Sequence, residues 1–474
     1  MPDYQVKMYT GTNARISAEM LDGLKGSIRG SILTPDTPGY DGVRAIWNAM
    51  IDRRPGLIVR CAGAADVVRA VRFAAEHKLL VAVRGAGHNI AGNAVCDGGM
   101  MIDLAPMKSV RIDRRGMTAR VEPGVTLGEL DRDTQAFGLA TPLGINSTTG
   151  VAGLTLGGGF GWLTRKLGLT IDNLLSADVV TAAGELVGAS PTENPDLFWG
   201  IRGGGGNFGI VTSFEFRLHR VGPEVLAGLI VHPLEEGKDV FRFYREFVKS
   251  SPRECVCFVV LRVAPPLPFL PPEWHGKHIL ALAVCYSGDV KEGERVLKPL
   301  RSFGKPIAEH IGPMPFVAWQ TVLDPLLTPG MRNYWKSHDF REVSDGLIDT
   351  LLAHAARIPD PQSEIAFIHL GEGVTSVAAD STAYTHRDAE FVMNVHGRWD
   401  NAANDAKCIG WARELFQAAT PFSTGGVYVN FMTQEEEDRV RPAYGSNYDR
   451  LSALKKKYDP DNFFRLNQNI RPGA

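Results

Sequence analysis

The stretch that most limits what this chain can fold into is Leu79-Leu80-Val81-Ala82-Val83 followed by Arg84-Gly85-Ala86-Gly87-His88-Asn89-Ile90-Ala91-Gly92. The apolar run reads as a buried strand. The glycines that follow let the backbone turn sharply and bring its N–H groups close to an anion. His88 then offers a nucleophilic ring nitrogen at the mouth of the turn. The combination points to a phosphate-bearing cofactor held by backbone and tethered by imidazole. The simpler alternative is a plain turn with a solvated histidine.

Around this loop the chain reads as closely interleaved strands and helices. Leu57-Ile58-Val59 is a strand, and Asp66 is placed to cap a helix whose face carries Val67, Val68, Val71, Ala74 and Ala75. Met100–Leu104 and Thr118–Val121 are further strands, and Thr126-x-x-Glu129 is a capping-box pattern that opens a short helix. A second glycine-rich region runs from Pro142-Leu143-Gly144 through Gly150 and Gly153 to Gly157-Gly158-Gly159-Phe160-Gly161. Its small residues Ser147, Thr148 and Thr149 allow close backbone approach to a flat ligand. Residues 177–187 read as a hairpin about Ala183-Gly184, 196–200 as a short helix, and 210–218 as a strand.

Gly204-x-Gly206-x-x-Gly209 matches the dinucleotide fingerprint in spacing but precedes a strand, whereas that fingerprint follows one and opens a helix. The first loop has the preceding strand but carries Ile90 where the third glycine belongs. A nicotinamide-binding doubly wound domain is therefore not expected.

A chain of 474 residues exceeds one ordinary core, and a formal net charge of −2 gives no electrostatic case for nucleic acid or an anionic membrane. Residues 1–16 mix charged and polar side chains without the apolar centre of a signal peptide, and no apolar run is long enough to span a bilayer. The expectation is a cytoplasmic enzyme. The six cysteines are scattered, which is not a disulfide framework, and Cys255-Val-Cys257 reads as alternating strand rather than half a metal site. No metal is expected.

Composition shifts near Val221-Gly222-Pro223. From there to about residue 420, strand-like alternation (255–263, 278–286) is separated by helical stretches. Pro265-Pro266-Leu267-Pro268-Phe269-Leu270-Pro271-Pro272 reads as a stiff hairpin connector rather than a ligand for an SH3-like partner. The chain closes with Tyr428-Val429-Asn430-Phe431, a helix over 448–457, and an aromatic tail from Tyr458-Asp459-Pro460 to Ile470.

In this order the motifs Arg84-Gly-x-Gly-His88, Gly150 to Gly161, Gly204 to Thr212, Tyr428-x-Asn430 and the 458–470 tail resemble the berberine bridge enzyme-like family of FAD-linked oxidases, within the vanillyl-alcohol oxidase type of flavin fold. The resemblance implies an α+β, two-domain FAD-linked oxidase fold. Residues 1–220 would form the FAD-binding domain, 221–424 a substrate domain with an antiparallel sheet backed by helices, and 425–474 a return to the FAD-binding domain. It implies that FAD contacts Arg84, Gly85, Ala86, Gly87, His88, Asn89 and Gly92 in the first loop. In the second region the contacts are Pro142, Gly144, Asn146, Ser147, Thr149, Gly150, Gly153, Gly159 and Phe160. Ile210 and Val211, then Asn430, Asn467 and Asn469, complete the set.

His88 matches the family histidine that bonds to the flavin 8α-methyl carbon, an attachment that withdraws electron density from the ring and prevents escape. Many members add a cysteinyl bond at flavin C6. Asn146 stands at that place here, so the resemblance implies a monocovalent, histidyl flavin. Three residues on, at the position that lines oxygen's approach, valine goes with oxidases and leucine with dehydrogenases. Thr149 has valine's shape and adds a hydroxyl, which favours an oxidase.

Flavin oxidation of an alcohol or amine removes a hydride from carbon and a proton from O–H or N–H, so a base beside the reacting carbon is needed. Tyr428 resembles the family's substrate-side tyrosine; with a phenol pKa of about 10 it needs a cation or strong donor nearby. Asn430, read as lying on the same strand face, is placed to hold the flavin or the phenol. Tyr334, within Asn333-Tyr334-Trp335-Lys336, and the pair Asn394 and His396 are expected to face the flavin from the substrate domain. The function expected is oxidation of a CH–OH group with O2 as acceptor, giving hydrogen peroxide. A dehydrogenase with another acceptor, an amine oxidase and a non-catalytic flavin-binding protein are the alternatives.

Overall fold

The computed structural model describes residues 3–473. The strand expected before the glycine loop is Val81–Arg84 and pairs in parallel with Met100–Asp103, which pairs in parallel with Leu57–Arg60. Ser31–Leu33 closes this four-stranded sheet on one edge. The helix between the strands is Ala64–Glu76, with Gly63 rather than Asp66 at its N-cap. Asp66 lies inside the first turn, and its carboxylate accepts N–H groups from Ala62 (2.8 Å), Arg29 (3.0 Å) and Gly30 (2.9 Å). The capping role therefore passes to a tertiary one: this carboxylate ties a distant N-terminal segment to the helix start.

A five-stranded sheet of residues 110–217 stands next in the chain, ordered Leu186–Ala189, Leu174–Val180, Ile210–Arg217, Thr118–Val121 and Val110–Asp113. It includes the hairpin read at Ala183-Gly184. The capping box also forms, with Glu129 accepting the Thr126 N–H at 2.7 Å. Within the second glycine region the backbone winds into a short helix, Val151–Gly157.

The central sheet has seven strands, and every pairing in it is antiparallel. The proline-rich connector joins Cys255–Val263 to His278–Tyr286, which are neighbours in this sheet, so it is a hairpin loop. One face is covered by helices. Gly237–Ser250 buries Val240, Phe241, Tyr244, Phe247 and Val248 at helical spacing, and Asp345–Ala355 and Asp405–Ala419 lie over the same core. Each such large apolar side chain contributes about 1.5–3 kcal/mol on burial. Cys255 and Cys257 point into this core. The opposite face carries Val256, Phe258, Ile368 and Val392, which pack against Phe160, Trp162, Leu163, Tyr384 and Tyr428. The central sheet thus meets the second glycine region and the C-terminal segment across an apolar seam. The terminal helix is Tyr448–Tyr458. Among the described residues no helix is long and apolar enough to cross a membrane.

Candidate active site

A cavity of about 330 Å³ opens along that seam. The glycine loop, the second glycine region, the central sheet and the C-terminal tail all contribute to its wall. From the first loop come Gly85, Ala86, Gly87, His88 and Asn89; Gly87 needs its left-handed φ of 78° to make the turn. Gly144, Asn146, Thr149, Gly150, Gly153 and Phe160 follow, then Ile210 and Val211, and finally Asn430 and Asn467. Tyr428, Asn394 and His396 line the same cavity.

His88 is stacked on Trp47, with ring centroids 5.2 Å apart and planes 22° apart. Its Nε2 lies 3.0 Å from Thr148 Oγ1 and its Nδ1 lies 3.4 Å from Thr149 Oγ1. Burial pushes its pKa down to about 4, against a smaller upward pull from Thr148. The imidazole is therefore neutral near pH 7, and a neutral ring keeps the lone pair a nucleophile needs. Asn146 Oδ1 is occupied by Thr148, accepting from its N–H at 3.0 Å and its hydroxyl at 2.6 Å.

Tyr428 is not on a strand. It precedes the short 3₁₀ turn Val429–Phe431, and the turn brings Asn430 back so that its Nδ2 donates to Tyr428 Oη at 2.9 Å. The Gly159 N–H donates to the same oxygen, also at 2.9 Å. Both lone pairs of the phenol are thereby engaged, leaving its own O–H as its free valence. Burial nevertheless pushes Tyr428 up to about 12, with the two donors pulling the other way.

Asn394 and His396 share the cavity side of the strand Phe391–Trp399, as alternation requires. His396 Nε2 lies 3.1 Å from Asn333 Oδ1, and its Nδ1 lies 3.5 Å from Glu364 Oε1. Glu364 also accepts from Arg262 at 2.8 Å, which holds its carboxyl below the usual range despite burial. Trp335 packs edge-on to His396 at 4.5 Å and to Phe431 at 5.4 Å, closing an aromatic wall with Trp47.

Several expected contacts lie elsewhere. Tyr334 is on the other face of its strand, where its hydroxyl bonds Glu435 and Arg413. It is Trp335, one residue on, that reaches the cavity. Arg84 turns from the loop to the Val43 carbonyl, with Asp103 at 3.7 Å. Gly92 is wedged against Ile51. The Pro142 carbonyl accepts from Thr170 at 2.8 Å, and Ser147 is held by Asp324 through its N–H (3.0 Å) and hydroxyl. Gly159 reaches the site only through its bond to Tyr428, and Asn469 is half-buried outside the cavity wall, with its buried Oδ1 unpaired. None of these expected contacts lines the cavity.

Conversely, Trp47, Leu327, Glu364, Ala366 and Ile368 line the cavity without having been read as site residues, as do Gly205, Gly206 and Gly209. For the last three the signal was present in the fingerprint-like spacing, although no helix follows it. Trp47 is joined to the site through Asn48. The Asn48 Nδ2 donates to the carbonyls of Ile90 (3.1 Å) and Asn333 (3.0 Å), pinning the glycine loop to the central sheet.

The cavity's chemistry suits a flavin nucleotide. Gly153 and Gly206 stand on its wall with nothing within 4 Å of where a Cβ would project, so open space lies over both backbones. Asn467 gives both amide hydrogens to carbonyls, Gly206 at 3.2 Å and Phe464 at 2.9 Å, so its buried, unpaired Oδ1 is left to accept. Asn394 Oδ1 is likewise buried and unpaired. Such acceptors call for a ring N–H or ribose hydroxyl.

Comparison with known proteins agrees. Residues 55–190 match the FAD binding domain family and residues 427–471 the berberine and berberine-like family. An FAD-linked oxidoreductase of Dictyostelium discoideum is 32% identical over 451 residues, covering 94% of this chain and 95% of that protein. The (R)-6-hydroxynicotine oxidase of Paenarthrobacter nicotinovorans is 33% identical over 461 residues, covering 94% and 97%. The crystal structure of 6-hydroxy-D-nicotine oxidase from Arthrobacter nicotinovorans superposes with a TM-score of 0.85 at 30% identity, covering 94% of this chain and 99% of that one. A cavity of flavin-binding chemistry, two family matches and full-length relatives converge: the chain belongs to the berberine bridge enzyme-like family and is an FAD-linked oxidoreductase.

Proposed function

We propose that this protein is an FAD-dependent oxidase whose flavin is bonded through His88 alone, and that it oxidises a CH–OH group of a small alcohol, sugar or related metabolite with O2 as acceptor, giving hydrogen peroxide. The observation that carries the reading is the neutral His88 ring on the wall of one cavity that also holds Tyr428, Asn394 and His396. Bound FAD supplies the two-electron acceptor. The FAD-binding part would be residues 1–220 with 425–474, and 221–424 would supply the substrate wall.

The residues of this chain supply the rest. Trp47, Trp335, Phe431 and Phe160 exclude water from the reacting face. Asn394 Oδ1 accepts a hydrogen bond from the substrate. Tyr428 acts as the base through its phenolate: with its own O–H given up and two N–H donors holding the anion, the one remaining lone pair of Oη takes the substrate's proton. With Asn146 at the place of the second linkage and Thr149 turning its hydroxyl to His88, a single attachment and a valine-like oxygen approach are supported. A second reading, oxidation of CH–NH, is favoured by the high pKa of Tyr428, because a neutral amine needs less help from a base. A relative named for oxidising 6-hydroxynicotine points the same way.

The test is acid precipitation of the purified protein. A yellow pellet and a fluorescent band on a denaturing gel are expected; flavin wholly in the supernatant refutes the linkage. Anaerobic bleaching by a panel of alcohols, sugars and amines, followed by air, then separates oxidase from dehydrogenase, and alcohol from amine.

A further inference from the structure

Beside Tyr428, where Tyr384 packs against Gly158 and Gly203, lies a group of polar side chains of which several are buried without hydrogen-bond partners. Tyr384 stacks edge-on to Tyr428 with ring centroids 6.4 Å apart, and its hydroxyl is buried and unpaired. His386 follows, its ring 6.4 Å from that of Tyr384. Beside them is Asp339, fully buried, with neither carboxylate oxygen bonded to any described group. A Cβ placed on Gly426 would stand 2.5 Å from His386 Nδ1 and 2.9 Å from Asp339 Oδ2, so only glycine fits there and the two side chains approach each other across it. Ser337, two residues before Asp339 on the strand Arg332–Phe340, has a buried, unpaired hydroxyl and sits opposite Asn394 in the sheet. His386 is only half-buried and gives the group its opening to solvent.

Leaving one buried donor or acceptor unsatisfied costs about 1–3 kcal/mol, and a charged one costs more. Three such side chains close together, Ser337, Asp339 and Tyr384, would be ruinous in a dry interior. Buried polar groups of this kind are satisfied by ordered water. The charges facing Asp339 are those of His386 and Arg439, which favour its anion, and Asp388, which opposes it.

Resting on the oxidase reading, we propose that the proton drawn from the substrate leaves the cavity along a hydrated file from Tyr428 past Tyr384 to Asp339 and His386. The balance requires such a route. Substrate oxidation removes a hydride and a proton from the substrate. Oxygen then takes up two electrons and two protons to become hydrogen peroxide. One proton therefore leaves the closed site, and one returns, in every cycle. Asp339 suits two-way traffic because burial pushes its carboxyl up to about 6, so both of its protonation states are populated close to neutral pH.

The test uses the holoenzyme and needs no substrate. Infrared difference spectra between pH 5 and pH 8 should show a protonated-carboxyl band that Asp339→Asn abolishes. That band should shift within seconds of transfer to D2O, and at least tenfold more slowly in His386→Gln. Exchange that is slow in the wild type, or unchanged in His386→Gln, overturns the proposal. In a second arm the flavin is photoreduced and mixed with air in the presence of phenol red. Proton uptake should keep pace with reoxidation in the wild type and lag at least tenfold in Asp339→Asn and His386→Gln, with imidazole restoring the latter. Uptake that keeps pace in both variants overturns it. If the wild type fails to reoxidise in air, the oxidase reading falls and the infrared arm alone decides the file.

Discussion

Lys455→Met should loosen the C-terminal tail that closes the flavin cavity. Lys455 has no exposed surface, and its ammonium donates to Asp459 Oδ2 at 2.6 Å and to the carbonyls of Asn207 (2.7 Å) and Phe464 (2.8 Å). All three of its hydrogens are used. Asp459 in turn accepts the N–H groups of Phe463 (2.6 Å) and Phe464 (2.8 Å), which turns the chain toward Leu466, Asn467 and Gln468 on the cavity wall. Burial lowers the Lys455 pKa, opposed by the Asp459 charge. Methionine keeps the stem and removes the charge, stranding a buried carboxylate and two carbonyls. Breaking a buried pair from one side costs about 3–5 kcal/mol. The expected result is a loss of that size in urea denaturation, with a lower flavin content after gel filtration. Lys455→Met/Asp459→Asn removes the stranded charge and should recover at least about 1 kcal/mol relative to the sum of the single losses. A single-variant loss below about 1 kcal/mol, or strict additivity of the two, would refute the reasoning.

His88→Ala should move the flavin colour from the acid pellet to the supernatant, and Asn146→Cys, read by the absorbance spectrum of the pellet, tests whether the second attachment place is usable. Tyr428→Phe should lower the rate of anaerobic flavin bleaching at least tenfold, whereas Tyr334→Phe, on the far face of its strand, should change it less than threefold. Asp131 is buried against Gln320, and burial pushes its carboxyl up to about 7. The folded protein therefore holds a proton that the unfolded chain releases near pH 4, so this contribution to stability is full below about pH 4 and lost as pH rises through 7. Asp131→Asn should accordingly stabilise the protein by about 1–3 kcal/mol at pH 8 and by progressively less toward pH 5, measured by thermal unfolding.

Much of the local structure followed from neighbours in sequence. The strand before the first glycine loop, the hairpin at Ala183-Gly184 and the terminal helix depend on apolar period and turn chemistry within a few residues. The meeting of Tyr428 and Asn430 was also legible, although a 3₁₀ turn rather than a strand face achieves it. Asp66 shows the limit: its residue type suits a cap, but a segment more than thirty residues upstream took its oxygens instead.

What the amino-acid order determined by itself is therefore the loop that offers His88 and the alternation that sets Asn394 with His396. What tertiary structure alone decided is which face of each strand looks inward. Tyr334 and Trp335 are equally good candidates until the sheet is laid against the helix Asp405–Ala419, because a shift of one residue sends every side chain to the other side. Trp47 and Glu364 belong to the cavity only because segments hundreds of residues apart are packed across one seam, and no local rule carries that information. Proximity in space is settled by the burial of whole faces, and that burial is a property of the assembled sheets.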